Sequence, residues 1–249
     1  MTHENREPSA ETHSSPPIDF LYDQGPVLVV NKPSGLLTQA PPGIDSMELR
    51  LKRYLKQKDG KTGKVYLGVP HRLDRPVSGA MVFARNVRAT RRLSEQFEFR
   101  SVTKKYWAIV EGIPDSNAGE WVDYMRKIPG EAKSEIVQER DLKAQLAILR
   151  YKIIAKWASN SLLEIELETG RTHQIRLQCS CRGLPIVGDL QYHSKLSFGA
   201  AEPDERKRRI ALHARFLKFE HPVSKEMVSR IAPLSETWDD FSIPADLLG

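Results

Sequence analysis

Two neighbouring segments decide the fold class: Ala147-Ile-Leu-Arg-Tyr-Lys-Ile-Ile154 and Ser161-Leu-Leu-Glu-Ile-Glu-Leu167. Both are short, apolar and rich in residues that favour β-strands. The connection between them is far shorter than the dozen or so residues that a parallel crossover needs. The sequence therefore predicts an antiparallel hairpin in the second half of the chain.

Further strand and helix signals lie on both sides of this hairpin. Strands are predicted over Pro26–Val30, through Val65, Leu67 and Val69, and over Gly79–Ala84, Val102–Val110 and Ile210–Phe219. Strands outnumber helices and many are joined by short turns, which predicts an α+β protein with a mainly antiparallel sheet flanked by a few helices.

Helix signals are fewer. Ser46 and Asn86 are suitable N-caps for two helices. The first would place Met47, Leu51 and Leu55 on one face, and the second would run to about Phe99 with Val87, Thr90, Leu93 and Phe97 inside. A third helix is predicted to open at Thr169-Gly-Arg-Thr172 and to stop near Gly183, and a short one is expected around Trp238 and Phe241.

The composition is that of an ordinary globular protein. Of 249 residues, 40% are hydrophobic and 28% charged, and no apolar run approaches the roughly 18 residues of a membrane span. Residues 1–17 are polar and are expected to be a disordered tail without an export signal. We therefore expect a cytoplasmic protein with no membrane attachment and with one domain over residues 18–249.

The charge balance favours a polyanionic partner. The formal net charge is +6, from 38 Lys and Arg against 32 Asp and Glu. Basic residues cluster at Lys52–Lys64, Arg85–Arg92 and Arg206–Arg209. Each cluster alone is as well explained by a solvated surface, but three in one domain favour binding to RNA or DNA.

Several common site signatures are missing or incomplete. Gly60-Lys-Thr-Gly-Lys64 has two residues where a phosphate-binding P-loop needs four, and no G-x-G-x-x-G, G-x-S-x-G or H-E-x-x-H occurs. Cys179 and Cys181 are too few ligands for a structural zinc site and are predicted to be free thiols. The sequence therefore calls for no metal and no cofactor.

Three polar segments remain as candidates for chemistry: Pro70-His-Arg-Leu-Asp-Arg-Pro-Val-Ser-Gly79, Lys104-Lys-Tyr-Trp-Ala-Ile-Val-Glu-Gly112 and Thr169-Gly-Arg-Thr-His-Gln-Ile-Arg176. Taken alone, each has an ordinary explanation. Asp74 fits a turn cap, Tyr106 a half-buried strand residue, and Arg171 a surface arginine.

Together, in this order, the three segments resemble the signature of the RluA-type pseudouridine synthases. Asn31-Lys-Pro-Ser-Gly35, Gly188-Asp189 with Tyr192, Leu212-His-Ala214 and His221-Pro222 also fit that family, so the resemblance covers roughly Pro26 to Pro222. It implies a curved, mixed, mainly antiparallel sheet with the active site in a central cleft.

The resemblance also implies a role for individual residues. Asp74 would be the catalytic aspartate, Tyr106 the residue that packs against the target base, and Arg171 the partner that holds Asp74. Arg72 would be an RNA contact. The reaction would convert uridine in structured ribosomal or transfer RNA to pseudouridine, without a cofactor.

Two departures from the family pattern are visible. Val77 stands where the family commonly has Thr, and we expect little effect because Ser78 and Gly79 keep the turn. We also expect a stand-alone, monomeric catalytic domain without the S4-type RNA-binding domain of many relatives. The alternative to an enzyme is a non-catalytic RNA-binding or ribosome-assembly factor on the same fold, in which intact Asp74, Tyr106 and Arg171 would serve no purpose.

Overall fold

The computed structural model describes residues 17–60 and 62–248, so the predicted tail lies outside the described residues except for Pro17. The described residues form ten strands: β1 (Phe20–Gln24), β2 (Val27–Lys32), β3 (Ser78–Ala84), β4 (Thr103–Glu111), β5 (Ala118–Lys127), β6 (Ser134–Val137), β7 (Gln145–Lys156), β8 (Asn160–Leu167), β9 (Leu212–Glu220) and β10 (Met227–Ile231). The helices are α1 (Met47–Lys58), α2 (Val87–Glu98) and α3 (Gln174–Ser180). Short 3₁₀ turns lie at Leu190–Tyr192, Glu205–Lys207, Glu236–Phe241 and Ala245–Leu247.

All ten strands belong to one mixed sheet. Its order is β1-β2-β3-β9-β4-β8-β7-β5-β6, and β10 pairs with β9. Every pairing is antiparallel except that of β3 with β9, where Ser78 and Gly79 lie opposite His213 and Ala214. The predicted hairpin is confirmed as β7 and β8, and the α+β class with a mainly antiparallel sheet is confirmed as well.

The two longer helices begin at the predicted caps. The Ser46 hydroxyl accepts a hydrogen bond from the backbone N–H of Leu49 at 3.2 Å, and the Asn86 side chain accepts one from Ala89 at 2.8 Å. These bonds satisfy N–H groups that a helix start otherwise leaves without a partner. The predicted inner face of α2 is partly wrong, because Val87 is 67% exposed.

Alternate residues of β2 face opposite sides of the sheet, as the two-residue period of a strand requires. Leu28 and Val30 pack in the core that contains α1, whereas Val27 and Val29 pack with α2. With a helix on each face, this part of the sheet is buried on both sides. That arrangement explains the uninterrupted apolar run in β2.

The strand predicted through Val65, Leu67 and Val69 is wrong. In this segment only Gly68 pairs with the sheet, as an isolated bridge to Ala84. A side chain at Gly68 would lie 1.9 Å from the hydroxyl of Thr90 in α2, so the segment is pressed against that helix. β1 was not predicted.

The sheet order brings the three polar segments together. β4 lies between β8 and β9, so Tyr106 is next to the strand that leads into Thr169 and α3. The parallel pairing of β3 with β9 fixes the end of the loop that carries Asp74. Among the described residues, no helix has the length and apolar character needed to span a membrane.

Candidate active site

A cavity of about 1280 Å³ opens beside the loop of residues 70–77. That volume exceeds the roughly 300–1000 Å³ of a pocket for a drug-sized ligand. The four residues singled out in the sequence, Arg72, Asp74, Tyr106 and Arg171, all line it. The cavity is therefore large enough to hold part of a polymer, and it gathers residues that lie far apart in the sequence.

The loop that carries Asp74 is fixed by hydrogen bonds to the segment after β2. The Thr38 hydroxyl donates to the backbone oxygen of Leu73 at 2.8 Å and accepts from its N–H at 3.2 Å. On the other side of Asp74, the N–H of Gly35 donates to the backbone oxygen of Arg75 at 2.8 Å. The backbone is thus held on both sides of the carboxylate, which gives Asp74 a defined position in the cavity.

Lys32 lies buried beneath this loop. Its Nζ donates to the backbone oxygens of Leu36 at 2.7 Å, Pro33 at 2.9 Å and Arg75 at 3.4 Å. Burial lowers the pKa of Lys32 to about 7, while the charge of Asp74 acts in the opposite direction. Lys32 therefore ties the turn after β2 to the loop of residues 70–77 from inside the protein.

The two oxygens of the Asp74 carboxylate have different surroundings. Oδ2 lies 3.4 Å from Nη1 of Arg176 and 3.6 Å from Nε2 of His173. Oδ1 has no hydrogen-bond partner within residues 17–60 and 62–248, and the side chain is 31% exposed. One oxygen is held by the protein and the other is open to the cavity.

Arg176 is itself held firmly. Its Nε and Nη2 donate to the two carboxylate oxygens of buried Asp189 at 2.6 and 2.8 Å, and Nη2 also donates to Gln191 at 2.8 Å. The guanidinium lies 4.9 Å from the ring centre of Tyr192. Burial lowers the pKa of Arg176, but the bonds and charge of Asp189 outweigh that effect and the pKa is raised. A permanently charged, rigid donor thus faces Asp74.

His173 completes the surroundings of Oδ2. The Tyr192 hydroxyl accepts from the N–H of Ser134 at 3.0 Å and lies 2.9 Å from Nδ1 of His173. The hydroxyl can donate its own proton to Nδ1, and the imidazole proton is then on Nε2, on the side of Asp74. Burial lowers the pKa of His173, so the ring is a neutral donor at neutral pH.

The prediction that Arg171 holds Asp74 is wrong, because the arginine at that carboxylate is Arg176. The physical reason is the start of α3. His173 has a left-handed backbone with φ of 56°, and the helix begins only after it, so Arg171 lies outside the helix. Its Nε donates instead to the backbone oxygen of Leu146 at 2.9 Å. Arg171 lines the cavity without contacting Asp74.

Tyr106 lies at an irregularity in β4. The register between β4 and β9 shifts between Lys105 and Trp107, so Tyr106 is left out of that ladder while it pairs with Ile165 of β8. Bulges of this kind redirect a side chain, often next to an active site. Burial and the charge of Asp74 both raise the pKa of Tyr106, so its phenol stays protonated.

Arg72 is exposed at the rim of the cavity. Its guanidinium forms no hydrogen bond or ion pair with the described part of the chain. Arg176, His173 and Asp189 were missed as site residues, although the first two lie in the same motif as Arg171. That motif holds two arginines, and spacing alone does not tell which one is buried.

No metal site is visible in this part of the molecule. Within residues 17–60 and 62–248, no three His, Cys, Asp or Glu side chains are grouped so that they could hold an ion. Cys179 and Cys181 are free thiols. The arrangement offers instead one carboxylate with a free oxygen, a group able to act as nucleophile or base.

Comparisons with known proteins identify relatives of this chain by sequence and by fold. A family model described as RNA pseudouridylate synthase matches residues 26–181. Over 220 residues the chain is 33% identical to an uncharacterized RNA pseudouridine synthase of Synechocystis, covering 88% of this chain and 66% of that protein. It is 36% identical over 237 residues to ribosomal large subunit pseudouridine synthase D of Xanthomonas campestris, covering 91% of this chain and 70% of the relative. The chain thus spans about two thirds of the length of these two relatives.

The fold is also similar to a solved structure. Human RNA pseudouridylate synthase domain containing 4 superimposes with a TM-score of 0.73 at 26% sequence identity, covering 90% of this chain and 93% of that one. The likeness therefore extends over nearly the whole of both chains.

Proposed function

The chain belongs to the RNA pseudouridylate synthase family, and we propose that Asp74 in its cavity isomerises a uridine of large-subunit ribosomal RNA to pseudouridine. The observation that carries this proposal is the uneven environment of the Asp74 carboxylate. Oδ2 is held by Arg176, with His173 3.6 Å away, while Oδ1 is open to a cavity of about 1280 Å³. Oδ1 is the oxygen that reacts.

The reaction suits a single carboxylate. The bond between C1′ of the ribose and N1 of uracil breaks, and a bond between C1′ and C5 forms. The proton on C5 is lost and N1 gains one, so no oxidant, reductant or water is consumed. Asp74 can attack the sugar, add to the ring or remove the 2′ proton, and in each case Oδ1 is the attacking atom. Arg176 and His173 stabilise the charge on the other oxygen.

Two further residues take part in binding the RNA. The target uridine must leave its stack to reach Asp74, which takes a few kcal/mol. Packing of uracil against the ring of Tyr106, worth roughly 1–3 kcal/mol, offsets that expense. Arg72, exposed at the rim and without a hydrogen-bond or ion-pair partner among the described residues, contacts the RNA as the base turns out of the strand.

Ribosomal RNA is the substrate that the comparisons favour. The Xanthomonas campestris relative, similar over 91% of this chain, is named as a ribosomal large subunit enzyme. The net charge of +6 agrees with a polyanionic substrate. Transfer RNA is the competing substrate, and the assay below separates the two.

We also propose that the enzyme works in the cytoplasm as a monomer, with residues 18–249 as its catalytic domain. A single chain brings Asp74, Tyr106, Arg171 and Arg176 to the same cavity, which supports a monomer. Light scattering of the protein during size-exclusion chromatography tests this, and a stable dimer would contradict it.

The test of the function is a direct search for pseudouridine. Purified protein is incubated with transcribed large-subunit ribosomal RNA and, separately, with transfer RNA transcripts, and carbodiimide-reactive pseudouridines are mapped. We expect modification of the ribosomal transcript by the wild type and none by Asp74→Asn. This variant keeps the size of the side chain, so its affinity for RNA should stay within about twofold of the wild type, since no phosphate contact is removed.

A matched control is Asp115→Asn, which changes an exposed aspartate away from the cavity. It should be as active as the wild type. Turnover by Asp74→Asn would overturn the role of Asp74. Modification of transfer RNA alone would overturn the proposed substrate but not the proposed reaction.

A further inference from the structure

Three cations lie side by side along one wall of the cavity: Arg100 after α2, Lys104 in β4, and Arg171 before α3. All three line the cavity that contains Asp74. The Nζ of Lys104 lies 3.8 Å from where a side chain would begin at Gly170, the neighbour of Arg171. Because position 170 is a glycine, nothing separates the ammonium group of Lys104 from that stretch of backbone. We call Arg100, Lys104 and Arg171 the groove cations.

The groove cations are short of counter-charge. Glu168 pairs with Arg100 at 3.4 Å, but the same carboxylate also pairs with Arg150 at 3.2 Å. Lys104 and Arg171 form no ion pair with any residue in 17–60 or 62–248. Nε of Arg171 donates to the backbone oxygen of Leu146, and both terminal nitrogens of Arg171 have no acceptor in the part of the chain that the structure describes.

The three charges repel one another. Burial lowers the pKa of Lys104, and the charge of Arg100 lowers it further; the same two causes, in the same order, lower the pKa of Arg171. Holding three like charges together with only the shared carboxylate of Glu168 beside them destabilises the protein. Such an arrangement is favourable only when an anion occupies the site, which is why perturbed cations are typical of functional sites.

One of the groove cations, Arg171, also borders the proposed reaction centre. Arg171 and Gly170 line a smaller pocket of about 100 Å³ together with Asp74, Tyr106 and Arg72. An anion bound there is therefore next to the uridine that the proposed function places against Tyr106. Guanidinium groups bind phosphate oxygens in pairs, and an ammonium group adds a compact point charge, so the set suits a phosphate better than a single carboxylate.

We infer that Arg100, Lys104 and Arg171 form a binding site for a phosphate group of the RNA backbone, adjacent to the nucleotide that is turned out toward Asp74. This inference rests on the proposed function, since it names the part of the substrate that this wall holds. In this proposal Arg171, which does not contact Asp74, binds a phosphate of the RNA backbone.

The first test is the salt dependence of RNA binding. Each phosphate contact contributes about 0.7–0.9 to the slope of log affinity against log salt, so losing one contact shrinks the change in affinity between about 50 and 200 mM salt by about threefold. We expect this smaller salt dependence for Lys104→Met and for Arg171→Met. Binding is measured with a synthetic stem-loop that contains the target uridine. Methionine keeps the apolar stem of each side chain.

The control is Lys152→Met, which removes one charge from an exposed position of β7 that does not line the cavity and lies outside the three basic clusters. Its salt slope should equal that of the wild type. A second series of stem-loops carries one uncharged methylphosphonate in place of a single phosphate. At one position near the target uridine, the substitution should weaken binding to the wild type and leave binding to Lys104→Met unchanged.

Turnover of the same stem-loop by the wild type separates the two proposals. If the wild type forms no pseudouridine there, the proposed function fails. If turnover is normal and both methionine variants keep the wild-type slope, the phosphate site is refuted. It is equally refuted if every methylphosphonate weakens Lys104→Met and the wild type to the same extent.

Discussion

Replacing Arg176 by glutamine should damage stability and catalysis for two separable reasons. Arg176 is 4% exposed and donates three hydrogen bonds to Asp189 and Gln191, besides its 3.4 Å contact with Asp74. Asp189 is 1% exposed, and among the described residues Arg176 is its only ion-pair partner. The variant therefore leaves the buried carboxylate of Asp189 without its cation and the carboxylate of Asp74 without its main donor.

The two losses have different magnitudes. Removing one partner of a buried ion pair costs roughly 3–5 kcal/mol, a large share of the 5–15 kcal/mol that usually stabilises a domain. Adding Asp189→Asn removes the unpaired charge while keeping the shape of the side chain, so most of the stability should return. Catalysis should not return, because loss of a donor to a reacting group typically lowers kcat about 100- to 1000-fold.

The assay compares Arg176→Gln, Asp189→Asn and the double variant in urea unfolding followed by tryptophan fluorescence, and in pseudouridine formation at saturating RNA. Arg182→Gln is the control: Arg182 pairs with Asp123 at 2.9 Å near the surface and does not contact Asp74. It should lose about 1 kcal/mol or less and keep its turnover.

Either of two results would refute this reasoning. If the double variant recovers both stability and turnover, Arg176 supports only the fold and does not assist Asp74. If the double variant remains as unstable as Arg176→Gln, the loss of stability does not come from the unpaired charge of Asp189.

Three further predictions concern single residues. Tyr106→Phe removes only the hydroxyl, which stays protonated because burial raises the pKa of Tyr106. The affinity for RNA should therefore be unchanged, and the activity should stay within about tenfold of the wild type. Complete loss of turnover would assign a proton transfer to the hydroxyl. Gly79→Ala should strongly lower the urea midpoint of unfolding or prevent folding. The backbone φ at this position is +118°, and the new methyl group would lie 2.4 Å from the backbone oxygen of Ala214. A midpoint equal to that of the wild type would contradict the tight pairing of β3 with β9. Burial lowers the pKa of His213 to about 4. As the pH falls, the unfolded chain therefore binds a proton at this imidazole before the folded chain does, and His213 alone should lower the free energy of unfolding by about 3 kcal/mol between pH 6.5 and 4. The loss should be smaller in His213→Asn, as measured by urea unfolding at each pH.

Local signals predicted the elements that depend on neighbouring residues. The caps at Ser46 and Asn86, the β7–β8 hairpin and the buried run of β2 were all predicted, because each depends on side chains within a few positions. The segment through Val65, Leu67 and Val69 alternates as a strand should, yet α2 lies against Gly68 and leaves room for one bridge only. The alternation of apolar residues within a segment does not show which distant helix will pack against it.

The candidate active site was also predicted only in part. Asp74 and Tyr106 were predicted as site residues because their motifs resemble a known family, and the sheet order brings both to one cavity. The arginine at Asp74 was misidentified, since that choice depends on a left-handed residue at position 173, which is not glycine. A motif match gives the residues that matter more readily than the contacts between them.

The sequence does contain a signal that separates the two arginines of this motif. Arg176 lies between Ile175 and Leu177 on a helix whose residues from Gln174 to Cys179 are all buried, whereas Arg171 has polar neighbours. A buried guanidinium needs a carboxylate partner, and Asp189 supplies both oxygens at short distance. Asp74 therefore meets an arginine whose charge is already neutralised on one side, and it is held at 3.4 Å by a weaker bond. The contact with Arg176 fixes the direction of the Asp74 carboxylate and leaves its Oδ1 open to the cavity.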